Sequence, residues 1–151
     1  EKSSLLRFGR FAERDCREMN EGKPGVFDFL GFTHYCGHSR AGRYKLKRKT
    51  SKKKLRQKLQ AMKDWLRSNL STPSEQVWQT LNRKLRGHYQ YYGVSDNWDY
   101  LLSYRDKVIE LVSRWISRRS QRSMSKTDFY KQFLPGHPLV RPQRLTNLFA
   151  N

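Results

Sequence analysis

The chain has 151 residues, with 32 Lys or Arg against 13 Asp or Glu, a formal net charge of +19. That length suffices for one domain, or a small domain with a subdomain, and for a real core. No run of about 18 apolar residues is present to span a bilayer, and two cysteines are too few for a disulfide framework and fit a reducing, cytoplasmic compartment.

The charge is not spread evenly. Between Arg40 and Lys58 there are eleven basic residues in nineteen and no acidic one, and residues 113–151 hold eight basic residues against one acidic. Positive charge concentrated in this way beside four Trp, eight Tyr and eight Phe fits a polyanion whose bases stack, so the expected partner is nucleic acid and not a membrane.

Taken in order, residues 3–8 read as a short strand and residues 10–19 as a short helix or irregular link. Residues 20–25 read as a turn containing two Gly and a Pro. Residues 26–35 read as a single strand with Phe27, Phe29, Thr33 and Tyr35 on one face and Val26, Leu30, Phe32 and His34 on the other, interrupted at Gly31 by a bulge or a close backbone approach. His34, Cys36 and His38 alternate, and only Cys16 would complete four zinc ligands. A turn around Gly37 is the better reading, so no metal site is expected. A hairpin through residues 37–42 then leads to a strand in which Tyr44 and Leu46 alternate with Lys45, Lys47 and Lys49, placing three lysines on one side of the pleat.

From Thr50 the period changes. Leu55, Leu59, Met62, Leu66 and Leu70 mark a helical face, with Arg56, Lys63 and Arg67 on a neighbouring stripe and Lys52 and Lys53 at its edges. The basic residues are thus expected to continue from strand to helix. Thr72-Pro73-Ser74-Glu75 has the form of a capping box with Pro at the first helical position. It opens a second helix striped by Val77, Leu81, Leu85, His88 and Tyr92 and stopped at Gly93. His88 is expected to be a hydrogen-bonded core residue. A third helix, residues 97–119, carries Leu101, Tyr104, Val108, Leu111, Val112, Trp115 and Ile116, with Arg105 in the same stripe expected to reach solvent by its long stem. Arg114, Arg118, Arg119 and Arg122 form a second basic block. A short helix at residues 127–133 and an extended tail beyond Leu134 complete the chain.

The familiar catalytic patterns are absent. No two acidic residues are adjacent, and no Walker loop, HExxH or nucleophile elbow occurs. The residues alone therefore describe an α+β nucleic-acid-binding module with a small antiparallel hairpin region and three principal helices.

Three strings occur in order: FDFLGFTHYCGHSRAGRYKLKRKTSKKKL at 27–55, WQTLNRKLRGHYQYYGV at 78–94 and RWISRRSQR at 114–122. Together they resemble bacterial group II intron-encoded reverse transcriptase/maturases, over about residues 1–133. The resemblance implies that residues 1–49 are the end of the polymerase palm, residues 50–134 the thumb or maturase-specific domain, and residues 135–151 a tail. It implies that intron RNA, RNA template and DNA primer are the partners, with the upstream fingers and palm as a further one. Phe29, Leu30, Gly31 and Phe32 would lie near the primer. Lys45, Lys47, Arg48, Lys49, Lys52, Lys53, Lys54, Arg56, Lys63, Arg67, Arg114, Arg118, Arg119 and Arg122 would meet phosphates. Arg86, Tyr89 and Tyr91 would add polar or stacking contacts. The paired aspartates of the family's YxDD block would lie upstream of Glu1 and nothing here replaces them. No catalytic residue and no cofactor is therefore expected in this chain, magnesium belonging to the upstream part, and the chain alone is not expected to polymerise. A free-standing basic RNA- or DNA-binding module without a polymerase partner is the alternative. A metal-dependent nuclease, requiring Cys16, His34, Cys36 and His38, is a third.

Overall fold

The computed structural model describes residues 5–143, 145 and 146. The fold is α+β, and the chain divides into two compact units, Glu1–Lys54 and Leu55–Asn151.

The first unit begins with irregular chain; residues 5–8 form no strand, and positions 3 and 4 of the strand expected there lie outside the described residues. A short helix follows, α1 (Ala12–Glu18), with Ala12 and Cys16 buried. A three-stranded antiparallel sheet then runs in the order β1 (Phe27–Phe29), β2 (Phe32–His38), β3 (Tyr44–Thr50).

The single strand expected over residues 26–35 is therefore a hairpin. Leu30 and Gly31 both have positive φ, 48° and 82°, and form its two-residue turn. This is the pair of left-handed residues that the right-handed strand twist favours in a tight hairpin. Gly31 is a turn residue and not a bulge, and the turn reorders the faces. Phe27 pairs with His34 and Phe29 with Phe32, so these four share one face, while Asp28 and Thr33 share the other. Glycine 37 lies inside β2 opposite Lys45, so the next turn comes later than expected. It is closed by Ser39 N donating to Arg43 O and Gly42 N donating to Ser39 O.

The second unit is helical: α2 (Lys52–Ser68, entering from the end of the first unit), α3 (Ser74–Tyr92) and α4 (Trp98–Ser120), then a short helix α5 (Lys126–Asp128) that runs into a wider turn over Phe129–Phe133. Leu81, Leu85, Leu101, Val108 and Val112 are fully buried, as the 3.6-residue period anticipates, and so are Phe129 and Ile109, the latter outside the expected stripe. At the start of α2 the Ser51 hydroxyl accepts from Lys54 N, as an N-cap serine does.

The capping box expected before α3 does not form. Thr72 Oγ1 donates to Asn69 Oδ1, Glu75 accepts from Gln79, and Pro73 precedes the helix at the cap position. Gly93 does stop α3, as expected, but with φ of −75° and not through a left-handed turn. Instead its carbonyl accepts from Thr146 N, and Ser95 N donates to Thr146 O. Asn97, fully buried, donates to Tyr92 O rather than capping α4 through its side chain, and Gln121, with φ of 54°, closes the other end of α4. The tail packs on this unit, with Leu139 only 3% exposed; residues 144 and 147–151 lie outside the described residues. No helix among the described residues is long and apolar enough to cross a membrane.

Candidate nucleic-acid interface

Helices α2 and α4 flank a groove of about 660 Å³, lined by Arg56, Gln57, Leu59, Gln60 and Lys63 on one side and Lys107, Glu110, Leu111 and Arg114 on the other. A narrower extension of about 120 Å³ continues it with Lys63, Leu66, Arg67 and Leu70 facing Leu111, Arg114, Trp115 and Arg118. Residue numbers rise in the same direction on both walls, so the two helices run along the groove side by side.

Each wall carries three cations at one spacing: Arg56, Lys63 and Arg67 on α2, and Lys107, Arg114 and Arg118 on α4, separated in both cases by seven and then four residues. Those intervals keep the three on one helical face, and eleven residues of helix span roughly 16 Å. Between the rows the floor is apolar, made of the half-buried Leu59 and Leu111 and the buried Leu66 and Trp115. Exposed cations on either side of a low-dielectric floor focus a positive potential along the groove. The one acid on these walls, Glu110, is held by Lys126 Nζ at 2.7 Å, and the hydrogen bond to that ammonium, then its charge, pulls the Glu110 carboxyl below the usual carboxylate range.

Five of the phosphate-contact residues expected from the sequence, Arg56, Lys63, Arg67, Arg114 and Arg118, thus meet on one surface. Lys107 was missed, because it stands outside both basic blocks. Its signal in the sequence is the spacing K-x6-R-x3-R from Lys107, which parallels the R-x6-K-x3-R from Arg56.

In the first unit, Lys45, Lys47 and Lys49 share the sheet face that carries Thr33 and Tyr35. Lys49 Nζ lies 4.9 Å from the centre of the Tyr35 ring. The stem of Lys47 occupies the space a side chain at Gly37 would need, since a Cβ there would stand 2.8 Å from Lys47 Cδ. Arg48 points the other way, pairing in register with His34. Burial, and then the Arg48 charge, lower the His34 pKa. Phe27 stacks on the His34 ring at 4.9 Å. Of the primer-proximal set, Phe29 and Leu30 are exposed and Gly31 and Phe32 half-buried. Lys52, Lys53 and Lys54 are exposed on the first turn of α2.

Several expected site residues have other partners. Arg119 donates to the carbonyls of Leu70 and Thr72, and its guanidinium lies 5.4 Å from the Trp115 ring centre, so it ties the end of α4 to the loop before α3. Tyr89 is buried and donates to Val140 O, which removes it from any stacking role. Arg86 is exposed on α3 but lines neither part of the groove, and Arg122 is exposed past the end of α4. Tyr91 is 56% exposed and meets Tyr92 edge-on. Arg105 does not reach solvent; it is buried and donates to Leu139 O at 3.3 Å. Among the described residues no group of three or more His, Cys, Asp or Glu is gathered as for a metal ion, and Cys36 Sγ instead sits 3.5 Å from Gly9 N.

Comparison of the chain with known protein families, with curated proteins and with solved structures returned no match.

Proposed function

We propose that the chain is the nucleic-acid-binding portion of a group II intron reverse transcriptase/maturase, which binds intron RNA to assist splicing and grips template and primer during RNA-directed DNA synthesis. The observation that carries this reading is the pair of matched cation rows, Arg56, Lys63 and Arg67 against Lys107, Arg114 and Arg118, on the walls of one groove. Two rows of positive charge over an apolar floor suit a polyanion lying lengthwise, with phosphates at the rims. The three sequence strings that resemble the family supply the choice of intron RNA and template-primer among polyanions. In this reading the residues named here bind and orient the nucleic acid.

The test is binding to a group II intron RNA over a range of salt concentration, with Arg56, Lys63 and Arg114 replaced together by Gln. Each lost phosphate contact should flatten the log–log salt dependence by about 0.7 to 0.9, or roughly two to three for the triple variant. An unchanged slope would refute the groove as the interface. Equal affinity for intron RNA and an unrelated RNA, with no effect on splicing of the intron, would favour the free-standing binding module.

A further inference from the structure

The groove between α2 and α4 is charged at its rims and apolar at its floor. Arg56, Lys63 and Arg67 on one side and Lys107, Arg114 and Arg118 on the other are all exposed. Between them Leu59 and Leu111 are half-buried and Leu66 and Trp115 buried. Of the two amides in the wider part, Gln60 is engaged with Asp64, donating to both carboxylate oxygens at 2.9 and 3.0 Å.

A paired duplex and an unpaired strand meet such a surface differently. A duplex presents phosphates, sugars and polar base edges, its base faces being hidden in the stack. Laid on this groove it brings phosphates to the rims but sets charged or polar atoms over the leucines, where they lose water and gain no partner. An unpaired strand has its base faces free. It sets its phosphates against the cation rows and turns its bases onto the floor, so rim and floor are both used. The volume agrees with this, since about 660 Å³ is the size of a pocket for one drug-sized molecule. Such a space holds a short run of nucleotides from one strand and not two paired ones.

We propose that the groove between α2 and α4 takes unpaired RNA, with phosphates on the rows headed by Arg56 and Lys107 and bases on the floor of Leu59, Leu66, Leu111 and Trp115, and that it discriminates against a duplex. This rests on the nucleic-acid assignment and narrows it to one form of the polymer. Charge alone would give the opposite preference, because a duplex carries its phosphates more closely spaced.

The test compares three labelled RNAs of about 12 nucleotides on the full chain by fluorescence anisotropy. One is an unstructured single strand, one the same strand paired with its complement, and one the same strand with abasic sites at its centre. Replacing Arg56, Lys63 and Arg114 together by Gln isolates the groove from the basic residues of the first unit. The resulting loss should be at least roughly tenfold for the single strand, with the salt slope flattened by about two, and under about twofold for the duplex. Abasic sites leave every phosphate in place, yet should weaken binding by the wild type at least roughly fivefold. Leu59→Gln with Leu111→Gln should reproduce that loss without altering the salt slope; where that variant loses helical circular dichroism, the abasic strand makes the comparison alone. Equal losses on single strand and duplex, or undiminished binding of the abasic strand, would overturn this inference and leave the groove a nucleic-acid site. A salt slope unchanged by the triple substitution on every RNA would overturn the groove assignment and this inference with it.

Discussion

His88 of α3 stacks on Tyr104 of α4 with ring centroids 3.8 Å apart and planes 19° from parallel, and neither of its buried nitrogens has a hydrogen-bond partner among the described residues. The expectation of a hydrogen-bonded core histidine fails; the ring is packed as a flat aromatic. Burial, and then the nearby Lys58 charge, lower its pKa from the usual 6.5 to about 4, with Tyr89 and Tyr92 the other titratable rings against it. Between those two values the unfolded chain binds a proton that the folded chain does not, so stability is intact above pH 6.5 and falls as the pH drops toward 4. The loss should reach about 2 kcal/mol at pH 5 and about 3 kcal/mol below pH 4. Urea unfolding of the wild type and of His88→Phe at pH 7.5, 6 and 5 checks this: the difference between the two should shift by that amount, and parallel curves would refute it.

Arg118 and Arg119 are neighbours in sequence with different jobs. A step of 100° around α4 puts Arg118 on the groove wall and turns Arg119 to the carbonyls of Leu70 and Thr72. Arg119→Ala should therefore lower stability by about 1 kcal/mol and leave the salt slope of RNA binding unchanged. Arg118→Ala should do the reverse. Thermal unfolding and salt titration on the two variants separate the roles, and a flatter slope for Arg119→Ala would return that residue to the interface.

That pair also shows why part of the site was illegible in the sequence. Charge density finds a basic block but not its facing, and one position in a helix decides whether an arginine meets solvent or a loop. Lys107 was hidden for the opposite reason, a single cation in a nearly neutral stretch that matters only because Arg114 and Arg118 follow at the right intervals. The helical core was legible because Leu81, Leu85, Leu101 and Val108 recur at helical spacing, and packing then obeys that period. The hydrogen bonds that Asn82, Tyr89 and Arg105 make to the main chain of residues 138–140 left no trace, since bonds to main-chain atoms need no particular side chain on the tail.

The hairpin at Leu30 and Gly31 was missed because residues 26–35, read as one strand, place apolar residues on both faces, which gives no clear period to break, and leucine is a poor residue for a left-handed turn. Leu30 holds φ of 48° while 67% exposed, so it carries backbone strain without compensating burial. Leu30→Asn, giving the Asn-Gly pair such turns favour, should stabilise the first unit by about 1 kcal/mol. Hydrogen exchange of the amides of β2 and β3 measures it: protection should rise, and lower protection would mean that the leucine side chain holds the turn. A nucleic-acid role for this exposed side chain would appear separately, as a stabler chain with weaker primer binding.

Glu110 sets the sign of the last test. It is the one carboxylate on walls that hold six cations, and it is neutralised by Lys126 from outside the groove lining. Both partners of that ion pair are well exposed, so the pair adds little to stability. Glu110→Gln removes a negative charge from the path of a polyanion and releases the Lys126 ammonium to it. RNA affinity at low salt should rise several-fold and the salt slope should steepen by up to roughly one contact, while the unfolding midpoint hardly moves. A nucleic acid that does not enter the groove would be indifferent to this change. Unaltered or weaker binding by a folded Glu110→Gln chain, measured by filter retention beside the wild type, would therefore remove the groove between α2 and α4 from the interface and leave only the lysine face of the sheet and the first turn of α2.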